Sequence, residues 1–202
     1  EHEAAVSTLE SLAENSDYLV RREAASALAG MGLPPPAVGP VATGRTGPVY
    51  AQILSQTDRE RVVEVVTTRG SFRIRLACPQ APLTCLSFLQ LAGQGFFDGL
   101  TFHRVVPDFV VQTGDPRGDG WGGPGFALRD EINRQRFGRG AVGMALSGPD
   151  TGGSQFFIAL SPQPHLDGGY TVFGQVAGDD SVLDQIRQED ELVTIREVET
   201  GE

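Results

Sequence analysis

From Arg61 onward this chain is written in short apolar runs, most with a period of two, each closed by a glycine, proline or aspartate turn signal. Such a pattern builds strands that bury one face and fold back on their neighbours. VVEVVTT and SFRIRLA, on either side of Arg69-Gly70, read as a hairpin with a tight turn. Phe72, Ile74 and Leu76 alternate with Arg73 and Arg75, which leaves one face wet. Further runs follow at 100–106, 109–113, 141–146, 155–160, 171–176 and 192–198. Strands at this spacing predict an antiparallel sandwich or a closed barrel. Two helices interrupt them. Pro82 opens PLTCLSFLQLAGQG, whose Leu86, Leu89 and Leu91 turn toward a core and whose Gly93 and Gly95 end it; a shorter helix covers 180–187. Helices at two separated points of a many-stranded sheet suit caps over the ends of a barrel. With 26 glycines and 13 prolines in 202 residues, the composition also favours many short strands over a few long helices.

The first sixty residues follow another period. Val6, Leu9, Leu12 and Ala13 share a helical face, and Asn15-Ser16-Asp17 punctuates the chain and caps a second helix. DYLVRREAASALAGMG then sets Val20, Ala24, Ala27, Leu28 and Met31 on one stripe, before Gly30, Gly32 and three prolines. This is a helical hairpin. The proline- and glycine-rich stretch 33–48 fits neither a helix nor a central strand, so it is a linker or a strap, and 50–58 suits a short helix. The predicted organisation is a hairpin at 1–32, a linker at 33–60 and a β-rich domain at 61–202. The strap is expected to lie against the barrel, because a lone helical pair needs apolar cover. The chain opens at Glu1, without methionine, in what already reads as helix. A removed leader or a longer N-terminal region stays open, so cytoplasmic and periplasmic or secreted locations both remain.

A net charge of -10 leaves no basic footprint for a phosphate backbone, and nucleic acid is not an expected partner. All sixteen cationic residues are arginines, which excludes Schiff-base lysine chemistry and a P-loop lysine. No apolar run reaches the roughly eighteen residues that a membrane-spanning helix needs. Cys78 and Cys85 flank a proline-rich turn and read as half-buried free thiols rather than a disulfide framework. Gly118, Gly120 and Gly123 satisfy G-x-G-x-x-G, but Pro124 and Gly125 forbid the helix a dinucleotide requires. His2, His103 and His165 have no metal-ligand spacing, and Ser154 lies in no nucleophile elbow. No cofactor is implied.

The chemistry-bearing residues concentrate in FHRVVPDFVVQTGD, 102–115, and GSQFFI, 153–158. These segments place one permanent guanidinium, Arg104, two amides, Gln112 and Gln155, and several aromatic rings on neighbouring apolar strands. An arginine in an apolar run is costly unless its donors are used, so it needs a structural partner or a ligand. FHRVVPDFVVQTGD and SGPDTGGSQFFI resemble, in order and spacing, the two signature segments of the cyclophilin family of peptidyl-prolyl cis-trans isomerases, over roughly 61–198. The resemblance implies a mainly β fold, an eight-stranded antiparallel barrel capped by two helices. It implies rotation about X-Pro bonds in unfolded or flexible protein segments, so the partners implied are proline-containing peptides and unfolded proteins. Arg104 matches the family's catalytic arginine. Phe109, Phe157 and Leu166 match the walls of the proline pocket, with Val110 and Met144 nearby. Gln112 matches the glutamine beside the substrate carbonyl, Gln155 a polar residue along the groove, and Ala145 a small groove-lining position.

Departures from the family pattern carry implications of their own. His165 stands where many members have a tryptophan associated with tight cyclosporin binding, and Tyr170 where many have histidine, so weak cyclosporin binding is implied while turnover survives. Leu146 replaces an asparagine that often follows the alanine. His103 reads as a buried, hydrogen-bonded structural histidine. VRREAASALAGMG resembles the second helix of a HEAT-type repeat, a unit that buries its faces by stacking on others. The competing reading is a non-catalytic proline-binding or scaffold module that uses the barrel groove and the helical hairpin. Arg104, Phe109, Gln112 and Phe157 together favour the enzyme, because a mere binder has no need of the charged donor.

Overall fold

Alternating chemistry on both sides of a short turn sets the first ladder. In the computed structural model, which describes residues 2–15, 18–38, 47–55 and 57–198, β1 (Arg61–Thr67) and β2 (Gly70–Leu76) pair antiparallel from Arg61↔Leu76 to Thr67↔Gly70. The Thr67 hydroxyl closes the turn: it accepts the Arg69 N–H at 3.1 Å and donates to the Gly70 carbonyl at 2.8 Å. Phe72, Ile74 and Leu76 are buried while Arg73 and Arg75 are exposed, so the wet face lies where the alternation puts it.

The remaining strands are β3 (Leu100–Thr101), β4 (Arg104–Val106), β5 (Val110–Thr113), β6 (Ala141–Met144), β7 (Phe156–Ala159), β8 (Val172–Ala177) and β9 (Glu191–Val198). All join one curled antiparallel sheet in the order β3-β9-β1-β2-β8-β6-β7-β5-β4. The fold is mainly β, as the punctuation of the sequence predicts. The eight-stranded closed ladder is not matched in detail: nine strands pair, and β3 and β4 stand at opposite ends of the hydrogen-bonded order. Only Phe102 and His103 separate those two strands in the chain. The ends of the sheet are therefore joined through the backbone rather than through a ladder.

Phe102 explains the interruption. Its ring is fully buried, its N–H donates to the Asp190 carbonyl at 2.9 Å, and its own carbonyl accepts the Glu189 N–H at 3.1 Å. The backbone groups that would continue the strand are spent on the turn that leads into β9.

Helix α4 (Pro82–Gly93) begins at its proline as predicted, and the Glu131 carboxylate accepts the free N–H groups of Leu83 (3.0 Å) and Thr84 (2.8 Å). The face it buries is Cys85, Phe88, Leu91 and Ala92; Leu86 and Leu89 are only half-buried, a correction to the face read from the leucines. Phe88 meets Phe156 edge-on at 5.3 Å between ring centres, and Phe97 meets the same ring edge-on at 5.8 Å. The helix expected at 180–187 is a short 3-10 turn, Ser181–Gln185, because Ile186 is already extended and feeds the chain toward β9. Leu183 plugs the core from that turn.

The chain divides into two compact units, 1–46 and 47–202. In the first, α1 (His2–Leu12) and α2 (Tyr18–Gly30) form the hairpin, with Ala24, Ala25 and Leu28 buried and Ala27 exposed. Gly32, at φ +78°, ends α2 by letting the Leu33 N–H return to the Leu28 carbonyl at 3.1 Å. Ser16, Asp17 and residues 39–46 lie outside the described residues, and with them most of the predicted cap and half of the predicted strap. Helix α3 (Gly47–Ser55) falls in the second unit, where Ile53 is buried. Among the described residues no helix is long and apolar enough to cross a membrane.

One glycine is fixed by both conformation and space. Gly114 follows β5 at φ +86°, and a Cβ there would stand 2.2 Å from the Ser154 carbonyl oxygen. Gly114→Ala should lower the free energy of unfolding by about 2–5 kcal/mol, combining left-handed strain with overpacking against backbone. Gly168→Ala, at φ +72° in open space, should cost only about 1 kcal/mol, the strain alone. Urea midpoints of the two variants, read at constant m-value, make the comparison; equal losses would show that the contact with Ser154 carries nothing.

Candidate active site

On β5, β6 and β7 every second residue leaves the main core. Val111, Val142, Met144, Phe156 and Ile158 join Phe88, Phe97 and Phe173 in the large inner cluster. Val110, Ala141 and Phe157 face the other way, into a second cluster with Phe137, Leu166 and Val172. Register aligns the polar residues on that second face: Arg104 stands opposite Gln112, Gln112 opposite Phe157, and Phe157 opposite Gly143. A single row thus crosses four strands and passes from guanidinium to amide to aromatic ring to bare backbone.

The bare position is required. A Cβ on Gly143 would lie 2.5 Å from Phe157 Cζ and 2.6 Å from Phe137 Cε1, so the two rings rest on the strand itself. They stack on each other at 5.4 Å, and Tyr170 meets Phe157 edge-on at 5.6 Å. Ala145 and Phe109 pack at the margin of this cluster, half-buried. Phe109 stacks on His165 at 5.7 Å, and the Arg104 guanidinium carbon sits 5.4 Å from the Phe109 ring centre, within cation–π range.

A chain of amides runs from the guanidinium. Arg104 Nη1 donates to Gln112 Oε1 at 3.4 Å, a long bond; Gln112 Nε2 donates to Gln155 Oε1 at 3.0 Å; Gln155 Nε2 donates to the carbonyls of Gly120 at 3.0 Å and Gly122 at 2.9 Å. Those carbonyls are fixed from below. The buried Asp115 carboxylate accepts N–H groups of Arg117 at 2.7 Å and Gly120 at 2.5 Å. Burial alone would push the Asp115 pKa up; the N–H groups of Arg117, Gly120 and Gly122 outweigh it and hold the group below the usual carboxylate range. Arg104 itself is exposed and makes no ion pair among the described residues. Among the described residues its charge meets only the Phe109 ring and the long bond to Gln112.

Residues 62–200 match the family model described as cyclophilin type peptidyl-prolyl cis-trans isomerase. The chain belongs to the cyclophilin family. It is similar to the peptidyl-prolyl cis-trans isomerase of Synechococcus elongatus, 46% identical over 132 residues that take in 64% of this chain and 91% of that protein. It is also similar to the peptidyl-prolyl cis-trans isomerase of Helicobacter pylori, at 43% over 135 residues, 65% of this chain and 83% of that one. A cyclophilin type isomerase of Cryptosporidium parvum has a crystal structure that superposes with a TM-score of 0.67 at 31% identity, covering 71% of this chain and 100% of its own. A second structure of that protein, solved in the presence of the dipeptide Ala-Pro, gives a TM-score of 0.63 at 32% identity over 66% of this chain and 96% of its own. The protein is a peptidyl-prolyl cis-trans isomerase of the cyclophilin type.

In this cyclophilin the residues read from the sequence fall into three places. Val110, Phe157 and Leu166 are buried in the second cluster, with Phe109, Ala145 and Tyr170 packed against it. Gln112 and Gln155 are half-buried along the amide chain, and Arg104 and His165 are exposed beside Phe109. Met144 does not join them: one step beyond Gly143, the period of two sends it into the inner cluster. Phe137, which the sequence reading did not pick out, carries a ring of the pocket from a segment without regular structure. Its place is set by its N–H on Asp167 Oδ1 at 2.8 Å and its carbonyl under the Gln163 N–H at 2.7 Å. Ser154 donates to the Gly114 carbonyl at 2.6 Å, a structural bond.

His103 departs from expectation. Both ring nitrogens are shut from solvent, and neither has a hydrogen-bond partner among the described residues. Burial pushes its pKa down, against the pull of Asp115 and Glu189. The unfolded chain then binds a proton near pH 6.5 that the folded chain refuses, so this residue withdraws stability as pH falls below about 6.5. His103→Phe should leave unfolding free energy near neutral pH little changed and flatten its decline between about pH 6.5 and 5. Denaturant titrations across that range would show the opposite, a parallel decline, if His103 were not the group responsible.

Proposed function

We propose that Arg104 is the catalytic residue and that the second cluster is the pocket for the substrate's proline ring. Rotation about an X-Pro bond makes and breaks no covalent bond; amide resonance sets its barrier of about 18–20 kcal/mol. A catalyst has only to hold the twisted amide better than the planar one. In the twisted state the prolyl nitrogen recovers its lone pair, and a guanidinium donor aimed at that nitrogen stabilises the twist. An acceleration of about 10⁵ requires about 7 kcal/mol of such differential binding. The observation that carries this reading is the placement of an unpaired guanidinium in the same strand row as an apolar pocket, tied to it by one long bond to Gln112. A ligand exchanges only that weak contact for its own.

The other roles follow from place. Phe109, Val110, Phe157 and Leu166 wall the proline ring, with Phe137 stacked on Phe157 and Tyr170 edge-on to it. Gln112 offers its amide to the substrate carbonyl, Gln155 holds that amide in register with the Gly120–Gly122 loop, and Ala145 leaves room for a peptide backbone. Proline-containing segments of unfolded or flexible proteins are the substrates, a reading supported by the Ala-Pro structure of the Cryptosporidium relative. Two further readings concern the architecture. Counting 100–106 as one broken strand turns the curled sheet into an eight-membered barrel with α4 and the 181–185 turn as its caps. The sequence of α2 supports a HEAT-type unit at 1–32, followed by a linker to the isomerase domain that begins near 61.

Exchange in a short X-Pro peptide, followed by NMR, tests the catalytic role. Arg104→Ala should lose about 10²–10³ of the acceleration, the equivalent of about 2.7–4 kcal/mol for one preorganised donor. Its fold should be unchanged, because the side chain is exposed. A folded variant that retains wild-type turnover would remove Arg104 from the mechanism. For the drug site, His165 presents a smaller, exposed ring on Phe109, so wild type should bind cyclosporin weakly and His165→Trp should bind it at least tenfold more tightly by calorimetry. Equal affinities would locate the determinant elsewhere.

A further inference from the structure

Away from the groove, two thiols and a guanidinium line one small cavity that is partly open to solvent. Cys78 follows β2, Cys85 sits in the first turn of α4, and both are buried free thiols. They line a cavity of about 10 Å³ together with Arg61, Ile53, Thr57 and Leu89. That is about the least room that admits one water molecule. The single S–H of Cys85 has two acceptors in reach, the Phe173 carbonyl at 3.5 Å and the Cys78 sulfur.

Arg61 supplies the second observation. Its side chain is 9% exposed and its Nε has no hydrogen-bond partner. The half-exposed Glu197 carboxylate comes to 3.3 Å of that atom, outside hydrogen-bonding geometry. A buried donor left unpaired is costly, and an anion arriving beside it relieves the cost. A thiolate at Cys78 would be such an anion. The two sulfurs are accordingly unlike. The hydrogen bond from Cys85 and the charge of Arg61 outweigh burial and pull the Cys78 pKa down; the same hydrogen bond and burial push that of Cys85 up. One thiol is prepared to ionise and its neighbour to stay protonated.

We propose that Cys78 and Cys85 are a peroxide-reactive pair, with Cys78 the attacking thiolate and Cys85 the resolving thiol of a reversible disulfide at the β2–α4 corner. In the first step the Cys78 sulfur attacks one oxygen of hydrogen peroxide, the O–O bond breaks, and Cys78 becomes a sulfenic acid while the other oxygen leaves as hydroxide, protonated to water. In the second the Cys85 sulfur displaces the sulfenic oxygen, which leaves as a second water carrying the Cys85 proton. Two thiols and one peroxide give one disulfide and two waters: the sulfurs lose two electrons and the peroxide gains them. An external dithiol reverses the step by exchange. The pair lies under α4, against the inner cluster, and contributes nothing to the second cluster that holds the groove.

The test treats the folded chain with hydrogen peroxide, quenches by alkylation and reads the tryptic peptide 76–104, which contains both cysteines. The wild-type peptide should lose two hydrogens and regain them with dithiothreitol, while isomerase activity stays intact as a check of the fold. Cys85→Ser should stop at a sulfenic acid on Cys78 that dimedone captures, and Cys78→Ser should give neither product. Arg61→Met should slow the reaction at least tenfold, and Arg61→Lys, which restores a cation, should recover part of it. Should Arg61→Met fail to fold, the two serine variants decide alone. A folded wild type that keeps both thiols until denaturant is added, dimedone capture at Cys85 instead of Cys78, or an unchanged rate in folded Arg61→Met would overturn the assignment.

Discussion

The register of β5 against β7 is the constraint on which the rest depends. With Gln112 opposite Phe157 and Val111 opposite Ile158, one set of ladder bonds sends Val111, Phe156 and Ile158 into the core and Val110, Gln112 and Phe157 to the groove. A slip of one residue would exchange the two sets: an amide would enter the aromatic core and Ile158 would replace the ring of the pocket. The penalty for a buried, unpaired amide and the lost apolar burial both oppose the slip, so the energy that packs the core also aligns the catalytic row. The site needs no separate device to set its position across the strands.

Along the strands it does need one, because amides can rotate. Gln112 is oriented by Gln155, Gln155 by two carbonyls of the 115–122 loop, and that loop by the buried Asp115 carboxylate. No bond in this relay is long until the last, where Arg104 reaches Gln112 at 3.4 Å. Order is therefore built up from the loop toward the guanidinium and stops just short of it. Electrostatic catalysis works in this way when donors are oriented before the substrate arrives and the final donor is not already satisfied.

Much of this was legible in the chain. The alternation in SFRIRLA, Pro82 as a helix start and the punctuated strands lie where local chemistry places them. What was not legible came from long-range packing. Phe137 has no periodic neighbours to betray it, and its ring is positioned by Asp167, thirty residues away. Phe102 looks like any strand aromatic, yet its backbone is taken by Glu189 and Asp190, and the ladder breaks there. The leucines of α4 outweighed Phe88 by number, although Phe88 is buried in the inner cluster while Leu86 and Leu89 are only half-buried. Met144 lay beside the right residues in sequence and on the wrong face of its strand.

The position of Arg104 also shows why this chemistry tolerates an exposed charge. A guanidinium fully inside the sheet would require a carboxylate to cover it, and that pairing would occupy the donors the reaction needs. At the sheet's last strand, with one side in water and the other over the Phe109 ring, the charge is solvated without being neutralised. On the role proposed for Arg104, binding of a proline ring against the second cluster displaces water from that side, and each remaining hydrogen bond gains strength as the local dielectric falls. The apolar cluster thus contributes to more than recognition: it makes a surface arginine behave, for the duration of the bound state, as a partly desolvated donor.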